Sequence, residues 1–392
     1  MKQVSCVHRK LYLCGLAMLV VVLLVAACGG AGSPAQPTQG DVIVYVAVPL
    51  SGFQANAGQT VLGGVRLKAA EINAQGGLMG HRVVVEGVDD ESDSGVAVSV
   101  AEQIAKDVAA GKPVLGVVGH LNSGQTLAAM EVYKNLSIAI VTPTASEVSL
   151  TQKGYNNFFR INANDAVQAR VDAEFLVKTL NVRRVAVMHN DDPYGIGLAS
   201  AVAGELKKLG AEVVTQIQVK VEQRDYKTEV PQVAGTNADA VFYAGYEVEC
   251  PYLRYALTQA KVTVPFLASD GCFISATIDE SNDTAEGMYV SAFGPSPWTK
   301  ASKGWISAYQ AVESRNPDTY SLNGYAAMEV LLDGAQKAGS LQGAAVADGI
   351  RKLDLQSLVG PISYDSSGDL RNPTIYIFQV RDNQFVQVYP TQ

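Results

Sequence analysis

The stretch from Gly119 to Ser146, GHLNSGQTLAAMEVYKNLSIAIVTPTAS, concentrates small hydroxyl-bearing residues in two loops. Asn122 and Ser123 sit in the first; Thr142, Thr144 and Ser146 sit in the second, with Ala145 between them. Each loop follows an apolar run, Val114 to Val118 and Ile138 to Val141, and the first leads into a helical pattern reaching about Asn135. Strand, small polar loop and helix in that order place the loop at the carboxyl end of a strand, where open parallel sheets hold ligands. A helix N-terminus there presents free N–H groups and a partial positive charge, which suits a carboxylate. Asn122-Ser123 is also a fitting helix cap, and the two roles can coexist.

The same types of residue could suggest a nucleophile and base, because His120 lies three positions before Ser123. Little else supports catalysis. Beyond the N-terminal segment the only histidines are His81, His120 and His189, and no Gly-x-Ser-x-Gly elbow occurs. Cysteines and histidines lack metal-ligand spacing. Gly195-Ile196-Gly197 echoes a dinucleotide loop, but Ser200 stands at its third glycine position and there is no P-loop. The expectation is a binding protein without enzyme activity, metal or cofactor.

The positioning elements alternate along the chain. Val42–Val48 and Val83–Val88 read as strands separated by a helix through Val61, Val65 and Ile72. Val96, Val100, Ile104 and Val108 mark a one-faced helix. After Phe158–Ile161 the alternation restarts. Strands are expected at Arg184–Met188, Val213–Val219, Ala240–Ala244 and Val264–Ala268, with helices at 167–175, 196–209 and 251–260. Tyr226–Val233 is a weaker helical segment because it contains Pro231. Helices follow at 305–314, 325–338 and 345–353, and 375–388 forms a hairpin around Arg381-Asp382-Asn383-Gln384. Two βα series predict an α/β protein of two doubly wound lobes.

The N-terminus sets the compartment. Lys2, Arg9 and Lys10 precede an apolar run from Leu11 to Ala27, which ends Val25-Ala26-Ala27-Cys28. Basic start, short apolar core and small residues describe a secretory signal over 1–27. The ending resembles the bacterial lipobox, which implies that Cys28 becomes the lipid-modified first residue. Cleavage removes three basic residues and no acid, moving the formal charge from −8 to −11. So acidic a body argues against nucleic acid as a partner. Residues 28–40 are a Gly/Ser/Pro/Gln tether by composition, and the rest exceeds one ordinary core.

Pro49-Leu50-Ser51-Gly52, Asn73-Ala74-Gln75-Gly76-Gly77, Asp89-Asp90, Gly119-His120, Thr142-Pro143, Tyr194-Gly195-Ile196-Gly197, Gly245-Tyr246, Ala285-Glu286-Gly287 and Gly360-Pro361-Ile362 occur in an order that spans the chain. In that order the sequence resembles the type I periplasmic binding proteins of ABC importers, in particular the leucine/isoleucine/valine-binding branch. The resemblance implies two lobes joined by three crossovers near Asn162, Ala292 and Asn372, closing like a clamshell. Lobe one would be 41–161 with 291–372, and lobe two 162–290 with 373–392. It also implies a monomer, lipid-anchored outside the cytoplasmic membrane, that gives a small amino acid to importer permease subunits. A branched-chain ligand leads. The alternatives are an amide, urea or other small polar solute, or a ligand sensor on the same fold.

Residue by residue, the resemblance assigns Ser123 and Ser146 to the ligand carboxylate, and the Thr144 carbonyl and Asp270 to its ammonium. Ala145 offers backbone groups, and Tyr194, Tyr246 and Tyr320 frame the side chain. Asp270 is one methylene shorter than the family's glutamate. Ala57 stands where close relatives carry a large aromatic over the ligand, and the positions of a family disulfide read Ser92 and Asn122. Cys250 and Cys272 are the remaining thiols beyond Cys28, and an even pair in an oxidising compartment predicts a bridge between them.

Overall fold

The computed structural model describes residues 36–390. The expected signal peptide, Cys28 and most of the tether lie outside them.

The first sheet takes strands β1 (Asp41–Val48), β2 (Arg82–Asp89), β3 (Val114–Gly119), β4 (Ala139–Thr142) and β5 (Phe158–Arg160) in the order β2-β1-β3-β4-β5, all parallel. Parallel neighbours need crossovers, here helices α1 (Ala55–Ala74), α2 (Ser94–Ala109) and α3 (Ser123–Tyr133). Residues alternate between faces along each strand. Val42, Val44, Val46 and Val48 of β1 enter one core cluster, while Tyr45 and Ala47 enter the cluster on the opposite face. A near-continuous apolar run is what burial on both faces demands.

The second sheet takes β6 (Arg184–His189), β7 (Glu212–Gln218), β8 (Ala240–Ala244), β9 (Phe266–Ala268) and β10 (Tyr289–Ala292), extended by the antiparallel hairpin β13 (Tyr376–Arg381) and β14 (Gln384–Tyr389). Its order is β14-β13-β10-β9-β8-β6-β7. Helices α4 (Asp165–Glu174), α5 (Pro193–Lys208) and α6 (Cys250–Gln259) belong to this half. The order β7-β6-β8-β9-β10 repeats β2-β1-β3-β4-β5, so each lobe has its topological switch point between its first and third strands. Helices α7 (Lys303–Glu313), α8 (Thr319–Ala338) and α9 (Gly343–Ile350) return to the first lobe and pack in its core. A small hairpin, β11 (Asp354–Ser357) and β12 (Gly360–Ser363), follows them.

Several local expectations need correction. Ser291 and Ala292 pair with Ile377 and Tyr376, so they belong to the second sheet rather than to lobe one. The segment 226–233 is helical only from Val230 to Ala234, and Pro231 opens that turn, where a missing N–H costs nothing. Helix α8 starts at Thr319, six residues before the expected Tyr325. Asp318 accepts from the Ser321 amide (3.0 Å), and the Ser321 hydroxyl lies 3.1 Å from the Asp318 amide, a reciprocal cap. That extra turn carries Tyr320 to the cleft. The β11–β12 hairpin was not anticipated. The β13–β14 turn was: Asp382 and Asn383 both take positive φ (51° and 57°), as a two-residue hairpin turn requires.

Candidate functional site

Three loops from each lobe meet at the cleft, and they correspond. In lobe one they follow β1, β3 and β4; in lobe two they follow β6, β8 and β9. They surround a cavity of about 20 Å³ lined by Gln54, Leu121, Asn122, Ser123, Thr144 and Ser146 from lobe one, and by Tyr194, Tyr246, Asp270 and Gly271 from lobe two, with Tyr320 from α8. Every named side chain there is buried. Seven of the eight residues singled out for ligand contact in the sequence line this cavity. Ala145 does not: its N–H donates to Thr142 Oγ1 (2.9 Å), and its carbonyl accepts from Arg160 Nη1 (3.0 Å).

The lobe-one wall is a tied pair of loops. Gly119 turns the chain with φ +147°, and a Cβ there would stand 2.2 Å from the Ala47 carbonyl oxygen, so only glycine fits. Thr142 Oγ1 donates to the His120 carbonyl (2.8 Å), and Thr144 Oγ1 donates to the Leu121 carbonyl (2.5 Å). Ser123 does not cap its own helix. Its Oγ accepts from the amides of Ser146 and Glu147, both at 3.2 Å, which leaves its hydroxyl proton free to donate. The Thr144 carbonyl accepts from Asn162 Nδ2 (2.9 Å) and keeps a second lone pair. Arg160, fully buried beneath the loop, pairs through Nε with Asp369 Oδ1 (2.6 Å) and holds the Glu147 carbonyl at 3.2 Å.

His120 and Ser123 do not form a catalytic pair. His120 Nδ1 lies 2.6 Å from Asp90 Oδ2, and its Nε2 lies 3.3 Å from the Tyr133 hydroxyl. Both ring nitrogens are thereby engaged in the core behind the loop.

The lobe-two wall centres on Asp270. Its Oδ1 accepts from the Tyr194 hydroxyl (2.5 Å) and from Gln168 Nε2 (2.9 Å). Burial pushes its carboxyl up to about 6, against the pull of those two hydrogen bonds. No lysine or arginine pairs with it among the described residues. Behind it Gln168 Nε2 also reaches Ser291 Oγ (3.0 Å), and that hydroxyl donates to Asp172 (3.2 Å). Burial raises Asp172 well above the usual carboxylate range and Asp165 to about 7. Tyr194 and Tyr246 stack at 5.4 Å between centroids, and the Tyr246 hydroxyl donates to Asp192 Oδ1 (2.7 Å). Asp192 is also the cap of α5, so one carboxylate fixes both the helix start and the ring. Cys250 and Cys272 form a disulfide that ties the loop after β8 to the loop after β9.

The lobes touch around the cavity. The Tyr320 hydroxyl donates to the Asp270 carbonyl (3.1 Å), Gln54 Nε2 donates to Glu247 Oε2 (3.1 Å), and Phe53 packs on Tyr246 with centroids 5.6 Å apart. Gln54, Phe53 and Glu247 are participants that the sequence reading does not single out, and Asn122 reads there only as a cap residue. The signal was present: Phe53 and Gln54 follow the first strand's end just as Ser123 follows the third. Ala57, the position corresponding to the relatives' aromatic, is wholly buried in the α1 core and does not reach the cavity.

Residues 44–384 match the family model described as a periplasmic binding protein. The chain is similar to a Leu/Ile/Val-binding protein of Citrobacter freundii, 29% identical over 343 residues, covering 88% of this chain and 92% of that one. It is 30% identical over 350 residues to the Leu/Ile/Val-binding protein homolog 3 of Brucella melitensis, covering 88% and 93%. The fold matches the crystal structure of a leucine-binding protein from Thermotoga maritima with TM-score 0.82 at 23% identity, over 88% of this chain and 97% of that one.

Proposed function

Because the chain belongs to the periplasmic binding protein family, we propose that it captures a small α-amino acid between its lobes and delivers it to an ABC importer. Ser123 and Ser146 receive the carboxylate, aided by the N-terminus of α3. Asp270 and the free lone pair of the Thr144 carbonyl receive the ammonium. Tyr194, Tyr246 and Tyr320 enclose the side chain.

The observation that carries this reading is the opposition of two half-sites of complementary chemistry. Lobe one offers hydroxyl donors, and lobe two offers a buried carboxylate without a cationic partner among the described residues. A buried charge wants a counter-charge, and a zwitterion supplies it on the side where it is lacking. The chain's similarity to Leu/Ile/Val-binding proteins favours an amino-acid ligand of branched-chain type.

A cavity of about 20 Å³ holds only one or two water-sized groups. Entry therefore requires the lobes to part at the Gln54–Glu247 and Tyr320–Asp270 contacts, by hinging near Asn162, Ala292 and Asn372. Ligand then favours the closed form, which the permease recognises. Lobe one is 41–161 with 293–372, lobe two 162–292 with 373–390, and lipid at Cys28 tethers the monomer outside the cytoplasmic membrane.

A thermal-shift screen of the chain from Gly29, without the lipid-bearing Cys28, tests the reading. A ligand well above its dissociation constant raises the melting temperature by mass action. One or more α-amino acids should do so. Stabilisation only by amides, ureas or simple acids would remove the ammonium role of Asp270.

A further inference from the structure

Asp270 is braced from behind by a side chain that the sequence does not single out. Gln168 is wholly buried on α4 and shares a helix face with Asp165 and Asp172. Its amide nitrogen carries two hydrogens and uses both, toward Asp270 Oδ1 (2.9 Å) and Ser291 Oγ (3.0 Å). The Ser291 hydroxyl donates to Asp172 Oδ2 (3.2 Å), which leaves its oxygen free to accept from Gln168. That order fixes the carboxamide, because the reverse orientation would set its carbonyl oxygen against the Asp270 carboxylate. The brace thus rests on two elements, α4 and β10.

Tyr194 supplies a second donor, and both donors land on one oxygen, Oδ1. Oδ2 receives no side-chain donor among the described residues, and Asp270 lines the cavity. One oxygen is therefore held by the protein and the other is left for a ligand. Burial pushes the carboxyl up to about 6, and the hydrogen bonds from Tyr194 and Gln168 pull against it. Hydrogen bonds to the charged form favour that form. The other titratable groups that act on Asp270 are Asp165 and Asp172 of α4 and Tyr320 of α8, and none brings a positive charge.

We propose that Gln168 is a positioning residue for ligand capture: it turns Asp270 so that Oδ2 faces the ligand ammonium, and it helps keep that carboxylate ionised. The proposal rests on the α-amino-acid reading of Asp270 and adds the residue through which the aspartate is made ready. Ser291 has the supporting part of orienting Gln168.

Gln168→Met keeps most of the bulk and removes both donors. The assay is calorimetric titration of the chain from Gly29 between pH 5 and pH 8, with the α-amino acid that the thermal screen returns, leucine, isoleucine and valine first. Losing one hydrogen bond to a charged acceptor should move the midpoint of the affinity loss upward by about one pH unit. Binding then suffers more near pH 6 than near pH 8, whereas lost packing alone would weaken it equally at every pH. Combined with Asp270→Asn, the same substitution should move no midpoint. Ser291→Ala removes the acceptor that orients Gln168 and should shift the midpoint the same way by less; if Gln168→Met does not fold, an unmoved midpoint in Ser291→Ala overturns the proposal. An unmoved midpoint in folded Gln168→Met would overturn the role of Gln168 and leave the α-amino-acid reading intact. Asp270→Asn without effect on affinity, or no binding of any α-amino acid, would overturn both.

Discussion

Asp270→Asn isolates one charge in the proposed site. The substitution is isosteric, and an asparagine oxygen can still accept from the Tyr194 hydroxyl and Gln168 Nε2, which meet Asp270 Oδ1 at 2.5 and 2.9 Å. What disappears is the carboxylate that would face the ligand ammonium in a site only 6% exposed. Leaving one member of a buried charge pair without its partner costs roughly 3–5 kcal/mol. At tenfold per 1.4 kcal/mol, affinity for the amino acid should fall by roughly two to three and a half orders of magnitude. Folding should not suffer, because the variant no longer buries an ionised group, so at about pH 8 the unliganded melting temperature should hold or rise. The pH dependence supplies an internal control. With its carboxyl near 6, wild-type Asp270 protonates as pH falls from about 7 to 5, and a neutral acid no longer attracts a cation. Wild-type affinity should therefore weaken over that range, while the variant should lose the component due to Asp270. Calorimetric titration of the identified amino acid measures both. A dissociation constant unchanged by the substitution at about pH 8, where the wild-type carboxyl is ionised, would refute the ammonium assignment.

The unliganded protein should be more stable at about pH 5.5 than at about pH 8.5. Burial raises Asp270 and Asp318 to about 6, Asp165 and Glu249 to about 7 and Glu247 to about 8, all above their ordinary values. The folded chain then binds more protons than the unfolded one in this window, and stability is lost as pH rises through each folded-state value; a melting temperature that climbs toward pH 8.5 would contradict it. The Cys250–Cys272 bridge spans 22 positions, which in the chain-entropy model stabilises by about 3 kcal/mol. Alkylation without reduction should label neither cysteine, and the double serine variant should melt earlier. Arg160→Met should destabilise by roughly 3–5 kcal/mol, since it strands Asp369 and releases the Ala145 and Glu147 carbonyls. Adding Asp369→Leu should recover much of that loss, and an unchanged denaturation midpoint in the single variant would show the pair to be idle.

The alternation of strands and helices was readable because burial on both faces forces unbroken apolar runs, and such runs end where the chain must turn. The loops at the site were readable for the same reason: small residues after Val118 and Val141, tyrosines after β6 and β8, and Asp-Gly after β9 occupy strand ends. What lay beyond the sequence is contact across the cleft. Gln54 and Glu247 are 193 positions apart, and each alone is an ordinary polar residue in a loop. Their meeting depends on how two separately folded sheets face each other, which no local periodicity encodes. Ser123 makes the point at shorter range. Next to Asn122 it reads as a helix cap, yet its oxygen is committed to two amides 23 and 24 positions away. Ala57 failed in the opposite direction, because a position transferred from relatives gave no warning that Phe53 and Gln54 occupy the adjoining space. The repeated strand order supplies the constraint that was missing. Two sheets with the same switch point, with the carboxyl ends of their strands opposed, bring the loops after the first, third and fourth strands of each lobe to one place. The cross-cleft pairs then follow from architecture.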